Sequence, residues 1–293
     1  MSGSSPLAHD LTRTDYVFMT KTLLSFGHGY SSRALARLLP ADEWTVIGTS
    51  RSGGDGTVRW PGSDMSDALA RATHILVSVA PNEHGDPVLN ALRDQIAAEA
   101  SHIEWVGYLS TTGVYGDHQG GWVDEDTPLK PSTKRGQMRV SAEADWQKQG
   151  LMLHIFRLAG IYGPGRGPFA KVRNGTARRI IKPGQVFSRT HVEDIAQVLA
   201  ASIAQPNPGA IYNVCDDDPA PPEDVIGYAA KLLGMPVPPA EDWDTADMTP
   251  MARSFYAESK KVRNDRIKDE LGVELKYPDY RTGLQAMFND ATE

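Results

Sequence analysis

Two glycines near the N-terminus, Gly27 and Gly29, are the residues best suited by type and spacing to hold a phosphate. An apolar run over residues 22–26 precedes them and apolar residues at helical spacing follow, which predicts a strand, a tight turn and a helix. A turn without Cβ atoms lets the backbone approach a pyrophosphate, whose charge the helix dipole favours. We therefore predict a dinucleotide site formed by Gly27, Gly29, Tyr30 and Ser31.

The third position of this glycine pattern is occupied by Ser32. Glycine normally stands there because it allows close packing of the helix on the strand. A small serine weakens the match but leaves the phosphate turn possible. The alternative is an ordinary glycine turn between a strand and a helix.

The end of the second predicted strand, over residues 44–51, lies about twenty residues beyond the turn, where a dinucleotide fold binds the adenosine ribose. An NAD site would favour a carboxylate there, but this chain has Ser50 and Arg51. A hydroxyl beside a guanidinium suits a 2′-phosphate, so we predict NADP, with NAD as a possible cofactor. The alternative is that Arg51 is a solvated loop residue.

Composition narrows the class of protein. The 293 residues carry a net charge of -7, which argues against a nucleic-acid partner because such sites need a broad basic surface. Cys215 is the one cysteine and cannot form an internal disulfide, so we predict a cytoplasmic protein. The longest apolar runs fall short of the roughly 20 residues of a membrane span, and no membrane partner is expected.

Strands alternate with helices along most of the chain, which predicts an α/β fold with a doubly wound parallel sheet of the Rossmann type. Predicted strands lie at 22–26, 44–51, 58–60, 74–81, 105–110, 153–159 and 210–214, and predicted helices at 87–100, 135–149, 191–204, 223–233, 260–271 and 281–288. The glycine- and proline-rich run after Gly160 interrupts this alternation.

The same patterns predict the domain boundaries. Residues 19–166 and 185–215 are expected to form the nucleotide-binding domain, and residues 167–184 and 216–293 a smaller substrate-binding portion. Residues 1–18 are rich in Ser, Thr and Asp and are expected to be a tail, with Met19 as a candidate natural start.

Four further segments follow the glycine turn in a fixed order: residues 109–116 (LSTTGVYG), 124–128 (DEDTP), 157–165 (RLAGIYGPG) and 191–196 (HVEDIA). With that turn, they resemble the extended short-chain dehydrogenase/reductases of the NAD(P)-dependent epimerase/dehydratase type. The resemblance covers nearly the whole chain from Met19. It implies a nicotinamide cofactor and a cleft for a small-molecule substrate.

The resemblance also implies roles for individual residues. Thr111 would hydrogen-bond the reacting oxygen. The other residues that it places against the cofactor are Ser78, Ala80, Pro81, Ser110, Arg139 and Leu158.

The catalytic pair of that family, a tyrosine and a lysine spaced Y-x-x-x-K, would fall on Arg135 and Arg139. A guanidinium does not exchange a proton near neutral pH as a tuned tyrosine does, so the usual mechanism is not expected. Arg139 could still bind the ribose or a phosphate. The chain thus resembles an atypical branch that lacks the pair.

Other residues could replace the missing acid. Tyr115 is a candidate, the alternative being an aromatic wall of the cleft. His191 is placed beside the cleft by the resemblance, the alternative being a histidine that braces the following helix.

Basic residues are concentrated over residues 171–182. In related enzymes this segment lies over the substrate, so Arg173, Arg178 and Arg179 are predicted to bind an anionic ligand. A solvated helix face is the alternative.

These patterns lead to two hypotheses. The first is an NAD(P)-binding oxidoreductase or epimerase that acts on a small sugar-related or anionic metabolite by a non-standard mechanism. The second is a non-catalytic NADP(H)-binding sensor or scaffold. A homodimer through the helices after Pro87 and Pro131 is what the resemblance suggests, and no Cys/His spacing indicates a metal.

Overall fold

The computed structural model describes residues 20–290, so the predicted tail over residues 1–18 and the Met19 start lie outside the described part. Its strands are β1 Lys21–Phe26, β2 Trp44–Ser50, β3 Thr57–Arg59, β4 His74–Val77, β5 Trp105–Thr111, β6 Trp122–Val123, β7 Leu153–Leu158, β8 Gly160–Tyr162, β9 Arg179–Ile181, β10 Arg189–His191, β11 Ile211–Val214, β12 Ala240–Asp242 and β13 Lys261–Val262.

The helices are α1 Tyr30–Leu38, α2 Ser66–Arg71, α3 Pro87–Ala98, α4 Lys134–Gln147, α5 Phe169–Arg173, α6 Val192–Ala204, α7 Pro222–Leu232, α8 Pro250–Phe255, α9 Asp265–Asp269 and α10 Tyr280–Asp290. A 3-10 turn, Thr112–Tyr115, follows β5 directly. The helix starts have local causes: Asp86 accepts hydrogen bonds from the amides of Val88 and Leu89 at α3, and Thr133 accepts one from Gly136 at α4.

Seven strands form one parallel sheet in the order β11-β7-β5-β4-β1-β2-β3. The central strands are continuous apolar runs because both faces of the sheet are covered. Leu69 of α2, Leu92 of α3 and Trp146 of α4 are buried on one face. Leu35 of α1, Leu199 of α6 and Ile267 of α9 are buried on the other. This arrangement confirms the predicted doubly wound α/β fold.

The strand order reverses at β1, which has β2 on one side and β4 on the other. In open parallel sheets, ligands bind beyond the carboxyl ends of the strands at such a reversal. The fold therefore provides a crevice next to the glycine turn that follows β1.

A smaller apolar cluster joins α5, α7 and α10 through side chains such as Phe169, Val225 and Leu284. Three two-stranded pairs, β8 with β10, β9 with β12 and β6 with β13, are separate from the main sheet. These elements stand over the carboxyl ends of the strands and give the crevice a second wall.

Most predicted elements are present within one to three residues of their predicted ends. The larger differences are these: the predicted strand 74–81 ends at Val77, and residues 260–271 form β13 and α9 instead of one helix. The short elements with no counterpart among the predictions are α2, α5, α8, β6, β8, β9, β10 and β12. The division of the chain into two portions stays a prediction.

Candidate cofactor and substrate cleft

The turn after β1 has the geometry that a phosphate cradle requires. Gly27 has φ 78°, and a Cβ on it would lie 3.1 Å from Cγ2 of Val79. Its amide donates a hydrogen bond to Oγ1 of Thr49 at 3.1 Å, which fixes the turn to β2. A side chain at Gly27 would therefore press against Val79 and strain the backbone, so the turn favours glycine.

Ser32 supports this turn from inside the protein. Its side chain is fully buried, and its Oγ donates a hydrogen bond to the carbonyl of Gly27 at 3.3 Å. The residue that weakened the sequence pattern thus ties α1 to the turn.

Tyr30, the first residue of α1, connects the turn to a distant loop. Its hydroxyl donates a hydrogen bond to the carbonyl of Pro164 at 2.9 Å, and the Arg166 guanidinium lies 5.9 Å from its ring centroid. The loop after β8 therefore closes the crevice beside the turn, where it adds a cation.

The two residues predicted to bind the adenosine ribose differ in their freedom. Oγ of Ser50 accepts a hydrogen bond from the Gly53 amide at 3.0 Å and lies 2.8 Å from Oγ1 of Thr57. Because the Thr57 hydroxyl donates to the carbonyl of Gly54, the proton of Ser50 points to Thr57. Ser50 therefore shapes the turn, whereas Arg51 is exposed and has no protein partner among the described residues.

A cleft of about 810 Å³ opens at the carboxyl ends of β4, β5 and β7 and extends under α7, α8 and α10. It brings together nine of the residues predicted from the sequence: Ser31, Ser78, Ala80, Pro81, Ser110, Thr111, Arg135, Arg139 and Leu158. Segments far apart in the sequence thus meet in one concave site, the usual form of a small-molecule site.

Thr111, the last residue of β5, caps the N-terminus of the 3-10 turn and lines the cleft. Its Oγ1 accepts a hydrogen bond from the Gly113 amide at 3.1 Å. No acceptor for its own proton is found among the described residues, so the hydroxyl can donate to a ligand.

The floor of the cleft below Thr111 is a buried polar network. The Ser110 hydroxyl donates to Glu143, and Glu143 forms a salt bridge of 2.8 Å with Arg157 in which both side chains are 3% exposed. Burial of Arg157 is offset by the hydrogen bonds and charge of Glu143, which raise the pKa of the guanidinium. Ser110 is therefore fixed by its partners.

Arg135 and Arg139 stand one helical turn apart at the start of α4, and both line the cleft. The Arg139 guanidinium donates hydrogen bonds to the carbonyl of Leu109 at 2.7 Å and to the Tyr108 hydroxyl at 3.0 Å. The Arg135 guanidinium lies 5.3 Å from the ring centroid of Phe255 in α8. Arg139 is held at the end of β5, while Arg135 lies against the opposite wall.

Two residues predicted for the cleft, Tyr115 and His191, lie outside its lining. Tyr115 is fully buried below the cleft, where its hydroxyl donates to Oδ1 of Asn213 at 2.7 Å and accepts from Arg157 at 2.9 Å. Burial raises its pKa to about 12. His191 is 1% exposed, its Nδ1 accepts the Glu193 amide at the start of α6, and burial lowers its pKa to about 4. Neither side chain lines the cleft.

The predicted substrate-binding arginines also lie elsewhere. Arg178 forms an ion pair with Glu241, Arg179 donates to the carbonyl of Pro238 at 3.1 Å, and Arg173 stacks on Phe169. None of the three belongs to the cleft lining. The partners of Arg178 and Arg179 are remote in sequence, so the basic run alone did not reveal them.

Several cleft residues were not predicted: Arg166, Arg189, Glu258, Lys260 and Tyr280. One sequence signal could have found Lys260, because Tyr256 and Lys260 have the Y-x-x-x-K spacing. Residues 256–260 are not helical, however. The Tyr256 ring packs 5.8 Å from the ring of Phe187, and Tyr256 itself is not part of the cleft lining. Only the lysine of this spacing reaches the cleft.

Within residues 20–290, no group of three or more His, Cys, Asp or Glu side chains could hold a metal ion. Over the same residues, no helix combines the length and the apolar character that crossing a membrane requires.

The amino-acid sequence is similar to that of a bacterial protein over most of its length. It is 30% identical over 285 residues to protein YeeZ of Escherichia coli K12, covering 88% of this chain and 97% of the relative. No protein-family model matches the chain.

Three solved structures are similar. A functionally unknown conserved protein from Silicibacter pomeroyi shares 63% identity and a TM-score of 0.89 over 92% of this chain and 99% of its own. A putative NAD-dependent epimerase/dehydratase from Methylobacillus flagellatus shares 28% identity and a TM-score of 0.68 over 94% and 100%. The human epimerase family protein SDR39U1 with NADPH shares 19% and 0.71 over 92% and 99%.

The structural neighbours therefore include NAD-dependent epimerase/dehydratases, which agrees with the resemblance seen in the sequence. The match to the bacterial relative extends over nearly its full length. On that basis, the chain belongs to the family of protein YeeZ.

Proposed function

We propose that this protein binds NADP(H), or alternatively NAD, and acts as an oxidoreductase or epimerase on a small sugar-related or anionic metabolite. The observation that carries the proposal is the Gly27 turn, where a Cβ would lie 3.1 Å from Cγ2 of Val79; Ser31, just after the turn, lines the same cleft as Thr111 and Arg139. The neighbour solved with NADPH supports a nicotinamide cofactor.

In this proposal, different residues bind different parts of the cofactor. Gly27, Gly29, Tyr30 and Ser31 hold the pyrophosphate at the N-terminus of α1, and Arg51 pairs with the 2′-phosphate. The lining residues Ser78, Ala80, Pro81 and Leu158 contact the ribose and nicotinamide. A bound nicotinamide supplies a hydride donor or acceptor.

The proposed chemistry depends on a positioned hydroxyl group and on fixed positive charges, and it does not use a tyrosine as the acid. The Thr111 hydroxyl donates a hydrogen bond to the reacting oxygen. The Arg135 and Arg139 guanidiniums, which line the same cleft, stabilise negative charge on that oxygen. Guanidiniums hold their protons at neutral pH, so they polarise the oxygen without transferring a proton, and the proton that accompanies each hydride is exchanged with solvent water. This makes the mechanism non-standard.

The test is turnover with defined compounds. The protein is incubated with NADPH or NADP⁺ and a panel of nucleotide sugars and small sugar acids, and nicotinamide absorbance and product mass are followed. Oxidation, reduction or epimerisation of any compound is the expected result, with loss of turnover in Thr111→Val. A protein that binds NADPH but turns over nothing would support a sensor or scaffold instead.

The double variant Arg135→Tyr with Arg139→Lys distinguishes these two functions further. If the cleft is a non-catalytic descendant of a reductase, restoring the pair is expected to introduce carbonyl reduction that the wild-type protein lacks.

A further inference from the structure

The charge of the cleft is opposite to that of the protein as a whole. Five of its described lining residues are cationic, Arg135, Arg139, Arg166, Arg189 and Lys260, whereas Glu258 alone is acidic. The complete chain has a net charge of -7. Arg166 lies beside Tyr30 at the pyrophosphate end, and Arg135 and Arg139 start α4. Arg189 and Lys260 remain to be assigned a ligand.

Arg189 presents one free edge of its guanidinium. Nη1 donates to the carbonyls of Phe187 at 2.8 Å and Ala220 at 2.9 Å, which uses both of its N–H groups. Phe187 and Ala220 also bridge each other through their backbones, so this anchor is rigid. Nε and Nη2 have no partner among the described residues. That edge has the fork geometry that binds a carboxylate or phosphate through two parallel hydrogen bonds.

The acidic neighbour of Arg189 contacts its backbone, and within residues 20–290 no ion pair joins it to the guanidinium. Oδ1 of Asp216 accepts the backbone amide of Arg189 at 3.4 Å, and Oδ2 has no partner in the described structure. Burial raises the pKa of the Asp216 carboxyl well above its usual range and lowers the pKa of the Arg189 guanidinium, while each group favours the charged form of the other.

The ammonium group of Lys260 is also held by protein partners that use only some of its N–H groups. Its Nζ donates to the carbonyl of Gly116 at 2.7 Å and to Oε2 of Glu258 at 2.6 Å, and its side chain is 10% exposed. The backbone of Gly116 packs closely against Lys130, since a Cβ on Gly116 would lie 1.8 Å from the Lys130 carbonyl oxygen. An ammonium has three N–H groups, so one is left for a ligand.

The two cations belong to neighbouring segments. The amide of Val262 donates to Oγ of Ser188 at 3.0 Å, and Arg189 follows Ser188 directly while Lys260 lies two residues before Val262. The lining around them includes the apolar side chains of Val225 and Leu284. This end of the cleft combines two preorganised donors with an apolar wall.

We propose that Arg189 and Lys260 form a subsite for a carboxylate or phosphate group of a small organic acid, separate from the site for the cofactor. The inference rests on the proposed function only in placing a dinucleotide at the Gly27 end. The substrate class is thus an acid whose anionic group is held by Nε and Nη2 of Arg189 and by the third N–H of Lys260. This assignment replaces the predicted ligands Arg173, Arg178 and Arg179.

The test titrates the protein with malonate and with inorganic phosphate at constant ionic strength, with and without saturating NADPH, and follows the thermal midpoint. A saturable rise is expected for at least one of the two anions. The better anion distinguishes a carboxylate from a phosphate ligand. The apparent Kd is expected to rise at least tenfold in Arg189→Met and in Lys260→Met.

Two controls separate this subsite from other effects. Lys261→Met removes an adjacent cation that lies over Trp122, and Arg173→Met removes one outside the cleft; neither should change the anion Kd. Arg189→Lys keeps the charge but loses the fork, so partial binding is expected if Arg189→Met folds poorly. Absence of saturable anion binding, or equal binding in all variants, would overturn the proposal. Loss of NADPH binding alone would overturn only the cofactor assignment.

Discussion

Glu143 and Arg157 form a salt bridge of 2.8 Å beneath the cleft, with both side chains 3% exposed. The pair connects α4 to β7, and through Ser110 it reaches the end of β5. The same three elements carry Arg139, Thr111 and Leu158 into the cleft. The buried pair therefore holds together the three elements that position the proposed nicotinamide end of the site.

Removing one partner of this pair leaves a buried charge without compensation. We expect Glu143→Ala to lower the free energy of unfolding by about 3–5 kcal/mol, measured by urea denaturation. The matched control is Asp67→Ala, which breaks the exposed Asp67–Arg71 pair and should cost no more than about 0.5 kcal/mol. Equal losses in the two variants would show that the buried pair has no special role.

Gly27→Ala tests the phosphate turn. The methyl group meets Val79 in a backbone conformation that alanine disfavours, so we expect a loss of about 1–3 kcal/mol in unfolding free energy. Loss of NADPH binding should accompany it, because in our proposal the strained turn is the one that holds the pyrophosphate. Ser32→Gly is the control and should retain binding; a Gly27→Ala protein with unchanged NADPH affinity would place the dinucleotide elsewhere.

Tyr115→Phe separates a structural from a catalytic tyrosine. The Tyr115 hydroxyl satisfies Asn213 and Arg157 in the buried network, so its loss should cost about 1–3 kcal/mol of stability. NADPH affinity and any turnover should stay within about twofold of wild type. A hundredfold loss of turnover with intact folding would restore Tyr115 as the acid.

His191 predicts a pH dependence of stability. Burial lowers its pKa from 6.5 to about 4, so between these values the unfolded chain binds a proton that the folded chain does not. The stability from neutral His191 is present above pH 6.5 and is lost as the pH falls towards 4. From pH 7 to 4.5 this amounts to about 2 kcal/mol.

The check is His191→Asn, since asparagine keeps the ability to cap α6. The variant should be less stable at both pH values, but the drop between pH 7 and 4.5 should shrink by about 2 kcal/mol. The same drop in both proteins would mean that His191 is protonated equally in the folded and unfolded states.

The sheet could be predicted because its signals are local. A run such as His74–Val77 is apolar throughout, and the glycine turn marks the passage from β1 to α1 within a few residues. The nine predicted residues that meet in the cleft follow from the ends of these elements, since parallel strands present their carboxyl ends at one edge.

The rest of the cleft depends on pairings between distant residues. Arg178 lies 63 residues from Glu241, and the carbonyl that anchors Lys260 belongs to Gly116, 144 residues away. Charge and residue type alone could not show that Arg178 is paired at the surface while Lys260 faces the cleft. Ser50 is a smaller case, because its role depends on the hydroxyl of Thr57 in the next strand.

The most direct test of the central claim is a titration with NADPH and with NADH, following nicotinamide fluorescence, in the wild-type protein and in Arg51→Ala. Saturable binding is predicted, with NADPH tighter than NADH. Loss of the exposed Arg51 should reduce this preference about tenfold, the equivalent of one charge-assisted contact of about 1.4 kcal/mol. Tighter binding of NADH would contradict the assigned 2′-phosphate contact, and failure to bind either nucleotide would contradict the proposal as a whole.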